Sequence, residues 1–98
     1  MTTKNWNKNK IGEDLSIFLD RFLNFADNAV PSPEIEIKIK DSAREFYKKH
    51  IMNDERYVML DIGSNVIHLH CKPRDLLRLI DLDEVEYMDK VSGLYEPM

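Results

Sequence analysis

The chain has 98 residues, of which 43% are hydrophobic and 33% are charged, and it carries a net charge of −4 at neutral pH. This length suits one domain of about 100 residues and excludes a two-domain enzyme. The composition is that of a globular protein, so neither a disordered chain nor a coiled coil is expected. The acidic balance argues against general nucleic-acid binding, because contact with phosphates requires clustered lysine and arginine. In so short a chain we expect function at the surface rather than in a deep internal pocket.

Cysteine usage and hydropathy bear on the cellular compartment. Cys71 is the only cysteine, so no intramolecular disulfide can form, and a reducing, cytoplasmic compartment is the simpler expectation. The first ten residues are basic but lack the apolar stretch of a signal peptide. Asp or Arg interrupts every apolar run well before the roughly 20 residues that a membrane-spanning helix needs. The sequence therefore predicts neither a secreted nor a transmembrane protein.

The chain divides into a short basic arm and one domain. Residues 1–10 contain three lysines, no acidic residue and Trp6 as their only aromatic, and they predict a flexible arm. Residues 11–98 predict a single α/β domain. Its last segment, residues 81–98, contains six acidic residues against one lysine, so we expect this acidic C-terminal segment to dominate the electrostatic field of the surface.

A helix and a strand are predicted on either side of a proline linker. Apolar residues recur at intervals of three and four from Ile11 to Ala29, which indicates an amphipathic helix. Pro31 and Pro33 then prevent helical hydrogen bonding and predict an extended linker. Residues 34–40 alternate isoleucine with charged residues, so they predict a strand with one buried face.

Two shorter helices are predicted further along the chain. Ser42 and Glu45 have the spacing of a capping box and begin a helix that ends near residues 52–54. Pro73 suits the first turn of a later helix, and Asp75 lies near its positive end, where a carboxylate is stabilising.

A β-hairpin is predicted between these helices. Residues 56–62 and 66–71 are β-prone, and the turn composition of residues 63–65 joins them. Strict alternation assigns one face of each strand to the core and the other to the exterior. The predicted core face carries Val58, Leu60, Ile62, Ile67, Leu69 and Cys71. The predicted outer face carries Tyr57, Met59, Asp61, Val66, His68 and His70.

The last segment fits two structures. Asp83 and Glu86 resemble a capping box, and Val85, Met88 and Val91 keep helical spacing, which favours a helix; a fourth strand is the alternative. The predicted fold is α+β, with an N-terminal helix followed by a β-α-β-β-α core and a small, mainly antiparallel sheet of three strands. A fourth strand would produce the ferredoxin-like βαββαβ order.

Two histidines are candidates for a metal site. His68 and His70 share one face of a strand, where both imidazoles could bind one divalent cation. Asp61 across the hairpin, or Glu36 on a neighbouring strand, could supply a third ligand. Two exposed histidines on an ordinary outer face are the better-supported alternative, because a His-x-His pair alone is a weak signal. We expect no metal and no other cofactor.

Catalytic motifs are weak throughout the sequence. Cys71 follows His70, but alternation directs the thiol into the core and the imidazole outward, so an inert buried cysteine is expected. Ser64 lies in a turn without the G-x-S-x-G setting of a nucleophile. The carboxylates of residues 81–89 are expected to be solvated, whereas general acid–base catalysis requires them in a cleft. The sequence predicts a protein that is not an enzyme.

Nucleic-acid binding through residues 1–10 is a further alternative, because lysines beside Trp6 resemble a single-strand stacking site. Three lysines and one aromatic residue are weak evidence for nucleic-acid binding, and an unstructured arm that aids solubility is the alternative. Direct nucleic-acid binding is therefore not expected, nor is membrane binding.

A protein partner is the leading prediction. Ile17 falls on the polar side of the first helix, and the acidic C-terminal segment mixes carboxylates with tyrosines that could anchor a partner. The alternatives are a solitary exposed apolar residue and a solvated terminus. We predict a small non-enzymatic binding protein: an inhibitor of the phage kind, an immunity protein or an adaptor. It would dock on a larger protein, such as an enzyme whose basic surface holds nucleic acid. The predicted interface consists of Ile17, Asp83, Glu84, Glu86, Tyr87, Asp89 and Tyr95.

Overall fold

The computed structural model of the protein describes residues 8–22 and 32–91, which form three α-helices and one four-stranded sheet. The predicted α+β class is confirmed. In chain order the elements are a 3-10 helix Lys8–Lys10, α1 Glu13–Phe22, β1 Glu34–Ile39, α2 Ala43–Phe46, a π-helical turn Tyr47–Ile51, β2 Val58–Ile62, β3 Val66–His70, α3 Pro73–Ile80 and β4 Val85–Lys90.

The sheet is antiparallel throughout, with the strand order β2-β3-β1-β4. From β1 onward the chain follows the order β-α-β-β-α-β, which is compatible with the ferredoxin-like arrangement. The central strands are β1 and β3, while β2 and β4 form the two edges. Residues of β1 and β3 therefore have neighbours on both sides, and their side chains can form rows across the sheet.

Local sequence signals account for the helix starts. The Ser42 side chain accepts a hydrogen bond from the Glu45 backbone N–H at 3.2 Å, as the capping-box spacing predicts. Pro73 occupies the first turn of α3. The first helix begins at Glu13 rather than Ile11, because Ile11 forms a parallel bridge with Met88 of β4. The predicted continuation of this helix over residues 23–29 lies outside the described residues.

The hydrophobic core lies against one face of the sheet. The isoleucines of β1 point into it, as their alternation predicts, and apolar side chains from the other strands and from all three helices surround them. Cys71 is also buried there, in agreement with its predicted inward direction. The buried residues that fill this layer include Leu15, Leu19, Ile35, Ile37, Ile39, Phe46, Ile67, Leu69, Leu76, Ile80, Val85 and Met88.

The helix favoured for the last segment is wrong, because this segment is the edge strand β4. Val85 pairs with Ile39 and Tyr87 pairs with Lys38, so Glu86 is an extra residue in the ladder. Such a β-bulge brings residues three apart onto one face of a strand. Val85 and Met88 are therefore both buried, and the bulge reproduces the spacing of a helix.

The predicted faces of β2 are wrong before a bulge and correct after it, where Asp61 pairs with His68 and Ile62 pairs with Ile67. Met59 pairs with Leu69 and Asp61 pairs with His68, which leaves Leu60 as an extra residue where the register shifts. Met59 consequently packs against the core. The three aliphatic residues predicted to be buried are instead exposed: Val58 by 56%, Leu60 by 46% and Ile62 by 37%. Tyr57, predicted to point outward, is buried.

Candidate functional site

The face of the sheet opposite the core carries mostly polar side chains, which are half-buried or exposed within the described ranges. We call this surface the open face. It contains four carboxylates, two histidines and one lysine, so it is acidic when the histidines are neutral. The pairing register across the four strands assigns the following residues to the open face: Glu34, Glu36, Lys38, Val58, Asp61, Val66, His68, His70, Tyr87 and Asp89.

His68 lies at the centre of a row of carboxylates on the open face. It is directly opposite Glu36 of β1 on one side and Asp61 of β2 on the other. Its Nδ1 is 3.2 Å from Oε2 of Glu34, and its Nε2 is 3.4 Å from Oε1 of Glu36. The sequence named Glu36 and Asp61 as possible neighbours but missed Glu34, which alternation places beside Glu36 on the same face.

His70 has a different partner from His68. Its Nδ1 is 2.9 Å from the backbone carbonyl oxygen of Ser32, the residue that lies two positions before β1. Since a carbonyl oxygen only accepts hydrogen bonds, the Nδ1 atom of His70 carries the hydrogen. In the cross-strand register His70 stands opposite Glu34. The two histidines and two glutamates therefore form two adjacent cross-strand pairs.

Glu84, one of the predicted interface carboxylates, is engaged within the protein. Its Oε2 accepts a hydrogen bond from Lys49 Nζ at 3.0 Å and lies 3.2 Å from His50 Nε2, both in the π-helical turn. The hydrogen bond with His50, followed by the one with Lys49, lowers the pKa of Glu84 to about 2. Glu84 consequently joins the π-helical turn to the loop that precedes β4.

Asp89, a second predicted interface carboxylate, is also used internally. Its Oδ1 accepts a hydrogen bond from the backbone N–H of Leu15 at 3.1 Å. This N–H belongs to the first turn of α1, where backbone donors have no partner within the helix. Asp89 thus caps α1 from a distant strand, in place of the side chain that Gly12 lacks.

The remaining predicted interface residues divide between two places. Asp83 and Glu86 are exposed just before and within β4, and the exposed Tyr87 lies on the open face opposite Lys38. Ile17 is exposed on α1, as its position on the polar side predicts. Tyr95 lies outside the described residues. Asp83, Glu86 and Tyr87 are therefore near one another along β4, whereas Ile17 belongs to another element.

A shallow depression accompanies Tyr87. It has a volume of about 230 Å³ and is lined by Glu36, Lys38, Tyr87, Asp89, Lys90 and Val91. Pockets that bind small molecules usually enclose roughly 300–1,000 Å³. The depression is smaller than that and open to solvent.

The candidate nucleophiles have structural roles. Burial raises the pKa of the Cys71 thiol well above its usual range, so the reactive thiolate is disfavoured. The backbone carbonyl of Ser64 accepts a hydrogen bond from the Ala43 N–H at 3.0 Å, which ties the hairpin turn to the start of α2.

A second ionic cluster joins the residues before β2 to α3. Arg56 binds both carboxylate oxygens of Asp54, and this pairing lowers the pKa of Asp54 to about 2. The Tyr57 hydroxyl donates to the Asp75 carbonyl at 2.8 Å and accepts from Arg78 Nε at 3.3 Å, while burial raises the pKa of Tyr57. Sequence patterns did not reveal this cluster, because its members come from separate segments.

Three further findings bear on function. Over residues 8–22 and 32–91, no three His, Cys, Asp or Glu side chains already converge in a group that could hold a metal ion. None of the helices in those ranges has the length and apolar character required to cross a membrane. The sequence matches no known family model, and neither a curated protein nor a solved structure is significantly similar to it.

Proposed function

We propose that this protein is a small, non-enzymatic binding protein that docks on a basic surface of a larger protein through β4 and the adjoining open face. The observation that carries the proposal is the position of Tyr87. Its ring is exposed on an edge strand and lines the depression together with two carboxylates, Glu36 and Asp89, and two lysines, Lys38 and Lys90. An exposed aromatic side chain surrounded by polar and charged groups is typical of an interface anchor.

Electrostatics define the kind of partner. The open face has four carboxylates and one lysine, and Asp83 and Glu86 add negative charge at the start of β4. Such a surface attracts lysine and arginine clusters and accelerates their encounter at low ionic strength. The basic groove of a nucleic-acid-binding enzyme has the required charge. The proposed roles are accordingly those of an inhibitor, an immunity protein or an adaptor, acting in the cytoplasm.

The carboxylates of the predicted interface play two different parts in this proposal. Asp83, Glu86 and Tyr87 contact the partner directly. Glu84 and Asp89 hold β4 in position, because one binds the π-helical turn and the other caps α1. An anchor on a rigid strand loses little conformational entropy on binding, which favours affinity. Ile17 lies on another element, and Tyr95 lies outside the described residues.

A matched pair of variants tests the proposal. Asp83→Asn with Glu86→Gln removes two negative charges at β4, and Asp20→Asn with Glu55→Gln removes two from exposed positions on other elements. Partners captured from cells of the source organism by the wild-type protein are identified, purified and titrated against both variants. We expect the β4 variant, but not the control, to bind with a lower association rate and a weaker salt dependence.

Tyr87→Ala provides the second arm of this experiment. Loss of the anchor is expected to raise the dissociation rate by at least about tenfold, since a central aromatic contributes roughly 2 kcal/mol or more to binding. Equal affinities for the wild-type protein, Tyr87→Ala and the β4 charge variant would refute the proposed interface.

A further inference from the structure

One histidine of the open face lies between two glutamates. The Nδ1 atom of His68 is 3.2 Å from Oε2 of Glu34, and its Nε2 atom is 3.4 Å from Oε1 of Glu36. Only the protonated imidazole carries hydrogens on both ring nitrogens, because the neutral ring keeps a lone pair on one of them. Both contacts of His68 are therefore attractive only when the ring is positively charged.

Charged groups face His68 from both neighbouring strands. On β1, Glu36 stands directly opposite His68, with Glu34 and Lys38 as the next residues on the same face. On β2, Asp61 stands directly opposite His68. Three carboxylates and one lysine thus surround the imidazole, so a positive charge on the ring lies in a field that is mainly negative.

His70 adds a second titratable group to the open face. It lies two residues from His68 on β3 and stands opposite Glu34. Its Nδ1 atom donates a hydrogen bond to the Ser32 carbonyl at 2.9 Å, so a further proton is taken up at Nε2. With both histidines neutral, the four carboxylates and one lysine of the open face give it a net charge of −3. With both histidines protonated, the same groups give a net charge of −1.

We propose that His68 and His70 form a pH switch on the open face: protonation of the two rings releases a basic partner, and loss of these protons permits the partner to bind. This inference rests on the proposed function, because it concerns the regulation of the same acidic surface. Histidine is the residue whose charge ordinarily changes between about pH 5 and 8. Its protonation makes the open face less negative, which weakens the attraction of lysine and arginine clusters.

Competition for the same oxygen atoms strengthens the switch. The protonated ring of His68 binds the Glu34 and Glu36 carboxylates, which would otherwise pair with cations of the partner. The three side chains are only partly exposed, by 20% for Glu34, 32% for His68 and 40% for Glu36. Salt screens partly buried ion pairs less than fully exposed ones. Since linkage is reciprocal, binding of a basic partner should also expel protons from the open face.

An NMR titration of the full-length protein alone tests the contact on which the switch depends. Between about pH 8 and 5.5, the side-chain carboxyl carbons of Glu34 and Glu36 are expected to shift together with the imidazole of His68, because carboxylates themselves ordinarily titrate below this range. These shifts should disappear in His68→Gln. Glu13, exposed on α1, is the control and should give a constant signal. Carboxyl signals that do not follow the imidazole would overturn the switch without refuting the proposed interface.

A fluorescent nona-arginine peptide serves as the basic probe in a binding test. At low ionic strength, the wild-type protein is expected to bind the peptide about fivefold more weakly at about pH 5.5 than at about pH 8. His68→Gln with His70→Gln removes the titrating groups and should bind equally at both pH values. His68→Lys with His70→Lys keeps both positive charges and should bind at the higher pH as weakly as the wild-type protein does at the lower.

His50→Gln is the matched control for the peptide experiment. His50 is the third histidine of the chain and contacts Glu84 outside the open face, so this variant should keep the pH dependence of the wild-type protein. Equal binding or no binding of the peptide at the two pH values, or a pH dependence that survives His68→Gln with His70→Gln, would overturn the switch. A switch lost in that variant, combined with undiminished binding by Asp83→Asn with Glu86→Gln, would support the switch and refute β4 as the interface.

Discussion

The Asp89 carboxylate occupies the space in which a side chain of residue 12 would stand. A Cβ atom added to Gly12 would overlap the carboxylate group, and Gly12 is also held to β4 by a backbone hydrogen bond from its N–H to the Met88 carbonyl at 2.9 Å. The glycine is therefore required by its neighbour, and the cap of α1 depends on both residues.

Gly12→Ala is expected to destabilise the protein by about 1–3 kcal/mol, because the added methyl group must displace a carboxylate from a packed site. Asp89→Ala is expected to cost about 1 kcal/mol through loss of the helix cap. In the Asp89→Ala background, Gly12→Ala should lower the free energy of unfolding much less, because the overlap with the carboxylate is gone. Urea denaturation of the four proteins measures this coupling, and simple additivity of the two costs would contradict the contact.

Lys10 connects the N-terminal residues to the end of α3. Its Nζ donates hydrogen bonds to the carbonyl oxygens of Ile80 at 3.0 Å and Leu82 at 2.8 Å. A cation at a helix C-terminus satisfies unpaired carbonyls and interacts favourably with the helix dipole. We expect Lys10→Met to lower the free energy of unfolding by about 1 kcal/mol. Lys40→Met, at an exposed position, is the control and should have a much smaller effect.

The lowered pKa of Glu84 predicts that the stability of the protein depends on pH in the acidic range. Its pKa in the folded protein, about 2, lies below the ordinary value of 4.5 because His50 and Lys49 bind its ionised form. The stabilisation is therefore present above pH 4.5 and is lost as the pH falls toward 2. In urea denaturation at several pH values, the difference between the wild-type protein and Glu84→Gln should shrink across this window. Glu86→Gln controls for the loss of any nearby carboxylate, and a difference independent of pH would contradict the assignment.

The bulge in β2 predicts that substitutions at two neighbouring residues, Met59 and Leu60, differ in their effect on stability. Leu60→Lys is expected to change stability by no more than about 0.5 kcal/mol, because the bulge exposes this leucine. Met59→Lys is expected to cost about 2 kcal/mol or more, since its side chain packs against the core. Simple alternation along the strand predicts the reverse order. Chemical denaturation of the two variants distinguishes the two registers.

Sequence periodicity predicted the parts of the fold that are regular. The uninterrupted alternation of residues 34–40 and the capping box at Ser42 both appear in the structure as expected. Both errors occurred at bulges. One extra residue at Leu60 reverses the faces of the β2 residues that precede it, and one at Glu86 produces helical spacing within β4. A bulge depends on pairing with a neighbouring strand, so a pattern within one segment cannot reveal it.

The sequence likewise predicted only part of the candidate site. The sequence placed His68 and His70 on one face with Asp61 opposite, and the register confirms that Asp61 pairs with His68. It could not show that Glu84 and Asp89 are bound within the protein, because their partners are 34 and 74 positions away in the chain. Long-range contacts of this kind depend on the order of strands in the sheet.

The bulge at Leu60 also bears on pairing between chains at the edge of the sheet. An exposed edge strand that carries Val58, Leu60 and Ile62 would ordinarily invite another strand to extend the sheet, which is the first step of many aggregation pathways. A regular incoming strand needs evenly spaced donors and acceptors along the free edge. The register shift breaks this spacing within the five residues of β2. The extra residue at Leu60 thus makes this edge a poor template for polymer growth.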